Sequence, residues 1–304
     1  VRYAAIDIGS NAVRLLIADI IQNNDVSSFK KNTLVRVPLR LGDDAFIDQK
    51  ISEPKATDLL KTMSAFRSLM DVYKVSAYMA CATSAMREAK NGAALVEEIR
   101  AAGIDLQIID GQEEARIIYS SHIEQQLNNK KAYLYIDVGG GSTELSIFAD
   151  TKLIASASFN IGTIRILDNQ DKEESWEEMK TWVKTHTRPF KTVYGIGTGG
   201  NINKLSRLAS IKEDKPISYA KLKSLYDYLN SFSLKDRINV LGLNNDRADV
   251  IIPACEIFLT LMKYGRLRQV IVPRVGLVDG IIQTLIERNL SPAPRPDQNE
   301  KNLE

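Results

Sequence analysis

The sequence predicts an α/β protein made of two similar domains, and three observations carry that prediction. Apolar runs of strand length alternate with amphipathic stretches of helix length along the 304 residues, the pattern of strands joined by helices. AAIDIGSNAVRLLIADI (residues 4–20) and YLYIDVGGGSTELSIFAD (residues 133–150) share one order: apolar run, Asp, any residue, Gly, small polar turn, apolar run. Their separation lies far outside the roughly 20–50-residue periods of solenoid repeats, so it marks duplicated domains rather than stacked units. Finally, each copy places glycine and short polar residues between two apolar runs, as a strand–turn–strand unit requires.

In the first half YAAIDIG (3–9) reads as a buried strand ending in a turn, and NAVRLLIADII (11–21) as its β-branched partner. NTLVRVPLRLG (32–42) is a further strand. Residues 51–75 form an amphipathic helix opened by Glu53-Pro54, because proline is tolerated in a first turn. A strand running into a polar turn (76–86), a helix closed by Gly103 (91–103), a strand (104–111) and a helix (112–127) complete it. The second half repeats the order. A hairpin (135–148) leads to a strand and turn (153–166), a helix (173–190), a strand with a glycine turn (191–200) and a helix (201–210). Residues 218–233 and 246–263 read as helices, with a kink expected at Pro253. A strand (268–273) and a closing helix (275–290) follow, and the polar, proline-bearing tail 291–304 is expected to be disordered. The domain boundary is placed within QQLNNKK, giving domains 1–126 and 127–304.

Composition narrows the function. Apolar residues make up 44% and charged residues 26%, values of a soluble globular chain, and the formal net charge of +2 gives no support to a nucleic-acid partner. Cys81 and Cys255 are the only cysteines, which argues against a disulfide scaffold or zinc cluster and fits a reducing, cytoplasmic setting. No apolar run approaches the roughly 20 residues that span a bilayer, so no membrane partner is expected. His122 and His186 are the only histidines, too few for a histidine-rich metal site.

The chemistry gathers at the turns. Gly139, Gly140 and Gly141 in succession invite close approach to the main chain, where consecutive N–H groups converge on an anion. Asp137 before them and Glu144 after them would repel a bare anion, so the combination expected is phosphate plus a divalent cation. GIGTGG (195–200) matches G-x-G-x-x-G, but the acid that should end a second strand about 20 residues on falls in the charged loop SIKEDKP, and the dinucleotide reading is rejected. Gly197, Gly199 and Gly200 still suit phosphate or ribose at a helix start, and tight strand–helix packing explains them equally well. No P-loop signature occurs.

The paired Asp-x-Gly hairpins and the glycine-started helix resemble the actin, Hsp70 and sugar-kinase superfamily. Within it, AAIDIGSNAVRLLIADI, ATSAMREAKNG, IIDGQEEARIIY, YIDVGGGSTELSIF and YGIGTGGNINKL are similar to the exopolyphosphatase and guanosine-pentaphosphate phosphohydrolase family. VPRVGLVDGII resembles that family's closing segment, so the matches run from residue 4 to 282. The resemblance implies two actin-like (ribonuclease H-like) α/β domains flanking a cleft, and Mg²⁺-dependent removal of terminal phosphate from inorganic polyphosphate. It implies Glu114 as general base, Arg87 as a phosphate contact, and Ser142 and Thr143 with the glycine turn as holders of the terminal phosphoryl group. Asp137 and Glu144, with Asp7, would hold the metal, Asp137 and Glu144 would place the attacking water, and Asp7, Gly9, Ser10 and Asn11 would close the cleft from the first domain. Longer members append a helical histidine–aspartate module that this sequence lacks, so short chains, or a homodimer that builds the channel across an interface, are expected.

Plainer readings stand beside these. Acids in a first helical turn complement the dipole, which accounts for Glu113 and, without the resemblance, for Glu114. Arg87 alone would be a solvated helix-start arginine, and Arg165, Lys204, Arg207, Arg266, Arg268 and Arg274 would line a polyanion route only if they cluster in space. The competing functions are guanosine pentaphosphate hydrolysis, a nucleotide-dependent scaffold or kinase, and a silent phosphate or alarmone sensor.

Overall fold

The structure is a computed structural model, and it describes residues 1–23, 26–120, 131–150, 152–212 and 215–290. The expected boundary at 126/127, His122 and the tail 291–304 lie outside the described residues. The first half comprises β1 (Arg2–Ile8), β2 (Val13–Asn23), β3 (Val26–Val37), α1 (Leu41–Ile47), α2 (Glu53–Val72), β4 (Ala77–Ala82), α3 (Ser84–Glu88), α4 (Gly92–Ala101), β5 (Leu106–Ile108) and α5 (Gly111–Tyr119). The second comprises β6 (Ala132–Val138), β7 (Thr143–Ala149), β8 (Lys152–Phe159), α6 (Thr163–Leu167), α7 (Glu173–Thr187), β9 (Val193–Thr198) and α8 (Gly199–Leu208). It continues through β10 (Ile217–Ser218), α9 (Tyr219–Asn230), α10 (Leu234–Asn239), α11 (Asn245–Ala248), α12 (Ile251–Tyr264), β11 (Gln269–Ile271) and α13 (Leu277–Leu290).

The duplication read from the hairpins extends to whole sheets. One sheet has the order β3-β2-β1-β4-β5, and the other contains β8-β7-β6-β9-β11, with the short β10 added at its far edge. In both, three antiparallel strands are followed by two parallel ones. The parallel strands require crossover connections, and the helices supply them. Side chains alternate across β1: Ala4, Ile6 and Ile8 enter a core under α1 to α4, while Tyr3 and Ala5 face α5 and α13. On β6, Leu134, Ile136 and Val138 pack under α7, α8, α9 and α12, while Tyr133 and Tyr135 face the other way.

Helix α5 therefore lies between the two sheets. Its Ile117 and Ile118 belong to the apolar cluster of the first sheet, whereas its last residue, Tyr119, stacks on Phe148 of β7 with ring centroids 3.9 Å apart. Helix α13, from the second half of the chain, returns to pack on β1 and α5.

Several elements differ from expectation. The strand expected at 32–42 starts earlier, ends at Val37 and gives way to α1, whose Leu41 and Phe46 fill the first core. The turn expected after residue 160 contains the one-turn helix α6. The helix expected over 246–263 breaks at Asp249 and Val250, not at Pro253. Pro253 sits in the first turn of α12, where its missing N–H has no intrahelical acceptor and costs nothing.

Candidate functional site

The two glycine turns repeat one hydrogen bond: Gly9 N–H donates to the Ala12 carbonyl at 3.2 Å, and Gly139 N–H to the Ser142 carbonyl at 2.9 Å. They face one another. A side chain on Gly140 would meet Ser10 Cβ at 3.0 Å and the Asn11 amide nitrogen at 3.3 Å, so the turns approach within main-chain contact. Ser10 Oγ bonds Ser84 Oγ at 2.8 Å, and Asn11 Nδ2 donates to the Asp246 carbonyl at 3.1 Å, across the cleft. Asn11 Oδ1 is sealed and lacks a partner among the described residues. Behind the turns, buried Arg165 donates Nε to the Gly141 carbonyl at 2.5 Å, pairs with Glu88 and lies 4.0 Å over the Phe46 ring. Arg165 is thus a strut between the halves and does not line a polyanion route.

The Glu113–Glu114 pair splits in two directions. Asp110 caps α5 by accepting the Glu113 N–H at 2.8 Å, and Glu113 pairs with Arg116 at 2.6 Å on the outer face. Glu114 turns inward, and its Oε2 is buried with no hydrogen-bond partner among the described residues. Its carboxyl titrates well above the usual range, because burial and the charges of Glu144, Asp137 and Asp7 outweigh the help of Arg87. Glu144 is buried and raised by burial, while hydroxyls of Ser142 and Ser158 and the charge of Arg87 pull the other way; Ser158 Oγ donates to its Oε1 at 2.9 Å. Asp137 is pushed up to about 7, by burial first and by Glu144 next. Gly111, at the start of α5, makes room for this arrangement, since a Cβ there would overlap Ser158 and lie 3.4 Å from Glu144 Oε1. Arg87, in α3, donates Nη1 to the Ile109 carbonyl at 2.7 Å, which holds its guanidinium beside these acids.

Among the described residues no three His, Cys, Asp or Glu side chains converge into a complete metal site. Mg²⁺ does not need one, since it keeps several waters and takes one or two carboxylates plus phosphate oxygens. Asp137, Glu144 and the unpartnered Glu114 oxygen form a mutually repelling set that a divalent cation and its waters fit chemically. Asp7, expected with them as a metal ligand, pairs through Oδ2 with Arg14, which balances its charge.

Four arginines that sequence reasoning missed gather at this region. A Cβ on Gly200 would meet Arg247 Nη2 at 2.7 Å and Arg14 Nη2 at 3.4 Å, so both guanidiniums press on the start of α8. Arg247 donates Nη1 to Asn201 Oδ1 at 3.1 Å, and burial and the charges of Arg36 and Arg14 lower it to about 9. Arg36 pairs with Asp246, and Arg40 with Asp249 at 2.6 Å, both across the cleft. Like charges forced together beside a helix N-terminus can be relieved by a bound polyanion. The register held the clue to Arg14: it occupies the position in β2 that Glu144 occupies in β7.

The remaining expectations divide. Gly199 adopts φ +85 and abuts Asp137, at the site. Gly197 lies under Ile202 and Val270, so its missing side chain serves strand–helix packing. Thr143 is fully buried and its hydroxyl donates to the Ile161 carbonyl at 2.7 Å, which leaves it only main chain to offer a ligand. Arg207, Arg266 and Arg268 are exposed. His186 contacts the Trp182 carbonyl at 2.8 Å and stacks on its ring, away from the cleft. Both cysteines are buried and pushed up to about 12, mainly by burial.

A family profile described as the Ppx/GppA phosphatase family matches residues 21–289. The chain belongs to that family. A bifunctional 3-dehydroquinate synthase/phosphatase from Fusobacterium nucleatum is 27% identical over 285 residues, covering 86% of this chain but 43% of the relative, so the chain spans less than half of that protein. Exopolyphosphatase 1 of Mycobacterium bovis is 24% identical, over 92% of this chain and 87% of its own. A guanosine-5'-triphosphate,3'-diphosphate pyrophosphatase of Aliivibrio fischeri is 23% identical over 94% of this chain and 59% of its own. In structure the chain is similar to the Ppx/GppA family member of Aquifex aeolicus (TM-score 0.75, 25% identity, 95% of this chain and 99% of that one). It is also similar to an exopolyphosphatase from Cytophaga hutchinsonii (TM-score 0.81, 24% identity, 95% and 98%). The two-domain α/β architecture around a cleft is the Ppx/GppA fold, as the resemblance implied. Among the described residues, no helix is long and apolar enough to cross a membrane.

Proposed function

We propose that this chain hydrolyses the terminal phosphoanhydride of inorganic polyphosphate, with Glu114 as general base. One observation carries the reading: a buried carboxylate oxygen of Glu114, without a partner among the described residues, stands within reach of the charges of Glu144, Asp137 and Asp7 and of the Arg87 guanidinium. Phosphoryl transfer needs a water in line with the terminal phosphorus and neutralisation of its three equatorial oxygens. Main-chain N–H groups of residues 140–142 and the Arg87 guanidinium suit those oxygens, and Arg14 and Arg247 suit the phosphate that leaves with the shortened chain. Glu114 Oε2 takes a proton from the water as its oxygen bonds to phosphorus, and the bridging oxygen departs with the electron pair of the broken P–O bond. A raised carboxyl is a better match to the proton it must accept near neutral pH. Mg²⁺, held through Asp137 and Glu144, would supply charge neutralisation and orient the water. The family name and the exopolyphosphatase relatives support the same class of reaction.

The test is phosphate release from polyphosphates of graded length, run beside guanosine pentaphosphate, with and without Mg²⁺. The reading expects Mg²⁺-dependent release that is lost in Glu114→Gln. Preference for guanosine pentaphosphate would move the substrate to the guanosine nucleotide and keep the chemistry. Full activity in Glu114→Gln would remove its role as base.

A further inference from the structure

The closing motif VPRVGLVDGII (272–282) has no part in the chemistry above, yet it touches both halves of the candidate site. The Val275 carbonyl accepts the Gly199 N–H at 3.0 Å, and a Cβ on Gly276 would lie 3.7 Å from Gly199 Cα. Four residues on, a methyl group at Gly280 would overlap the Ile117 carbonyl oxygen, so α13 and α5 cross at backbone contact because that side chain is missing. Asp279 stands between these two contacts and is buried. Its Oδ2 accepts the Gly276 N–H at 3.0 Å, and its Oδ1 pairs with Lys31 of β3 at 2.6 Å. A buried carboxylate is tolerated only when paired, so these partners pin the start of α13 in one place.

One short segment is thereby locked to the turn at Gly199, in the second sheet, and to the helix that carries Glu114, between the sheets. We propose that Asp279 and Gly280 are positioning residues that set the distance between the Gly199 turn and Glu114. Neither touches substrate. The inference rests on the reading of Glu114 as base and the glycine turn as phosphate holder. Geometry of this kind acts on the rate more than on affinity, because a reacting group displaced by about 1 Å can cost about a hundredfold while substrate contacts persist.

The experiment compares Asp279→Asn and Gly280→Ala with Thr284→Val in the whole chain. Thr284 lies one turn further along α13, where its hydroxyl donates to the Gly280 carbonyl at 2.9 Å and meets Ser120 Oγ at 3.1 Å at the end of α5, so the control loosens the same helix pair while keeping the Asp279 partners and the side-chain-free crossing at Gly280. Both test variants should lower kcat by about a hundredfold and leave KM within about twofold. Hydrogen exchange should quicken together at the Gly199 amide and at amides 114–118, since both report one lock. Thr284→Val should lower the thermal midpoint and keep kcat. Equal loss of kcat in Thr284→Val would reduce the segment to general stability and overturn the proposal, as would faster exchange confined to one of the two regions. If Gly280→Ala does not fold, Asp279→Asn carries the test. If the wild-type chain releases no phosphate from any polyphosphate, the functional reading fails, and the exchange comparison still decides this one.

Discussion

Asp7 faces Arg14 across the first hairpin, and at the same register of the second hairpin Asp137 faces Glu144. The backbones are duplicates, down to the Gly9 and Gly139 hydrogen bonds. Among the charged side chains of the two turns, the difference is Arg14 against Glu144. In the first hairpin a guanidinium neutralises the aspartate; in the second, burial first and the charge of Glu144 next lift Asp137 to about 7. One copy of the unit is electrostatically closed and turns a cation toward the α8 start. The other holds unbalanced negative charge that a metal and its waters suit. On the proposed function, the reversal from Arg14 to Glu144 at one register would give the two hairpins different tasks, one offering a cation to phosphate and the other carboxylates to a metal.

The largest effect expected is on chemistry. Glu114→Gln should lower phosphate release by about a thousandfold, or ~4 kcal/mol of barrier. Its thermal midpoint should not fall, because the amide removes one charge from a like-charged set. The next test separates the hairpins directly. Arg14→Ala leaves Asp7 buried and unpaired and should cost about 3 kcal/mol in urea unfolding. Glu144→Gln at the matching position should be neutral or stabilising by about 1 kcal/mol, since it keeps an acceptor for Ser158 and relieves repulsion. Equal losses in the two variants would break the comparison.

Arg247→Gln should raise the polyphosphate KM by about tenfold, the worth of one charge-assisted hydrogen bond, with a smaller change in kcat. The gentlest effect is the pH dependence of stability without metal. Asp137 rises from 3.8 unfolded to about 7 folded, so between these values the folded chain keeps a proton that the unfolded chain releases. Its stabilising contribution is full below 3.8 and is lost as pH rises through about 7. Asp137→Asn should flatten that slope in thermal melts, and Mg²⁺ should stabilise the wild type increasingly as pH rises. A slope unchanged in Asp137→Asn would assign it to other groups.

Local pattern made the hairpins and the Asp-x-Gly turns legible, because each depends on residues close in sequence. Resemblance, not spacing, singled out Glu114 from Glu113, since both satisfy the dipole of a first turn. Arg247 and Arg36 were illegible: their roles depend on a meeting between β3 and α11 across the cleft, which no periodicity encodes. Arg165 looked like a surface charge and became a buried strut, because its partners Glu88 and Phe46 come from the other half. Helix α1 was missed for a similar reason. LGDDAFI (41–47) is short and acidic at its start, and its apolar residues are explained only by the core they fill.

Two edges of the contact between the halves differ in character. On one, Tyr119 stacks on Phe148 and α13 crosses α5 at backbone contact; on the other, Arg40 pairs with Asp249 and Arg36 with Asp246, the latter through buried atoms. Parting the aromatic side would forfeit buried apolar area, and parting the arginine side would strand a buried guanidinium and carboxylate, so neither edge separates cheaply. The halves are therefore clasped along both edges, by apolar area on one and by charge on the other.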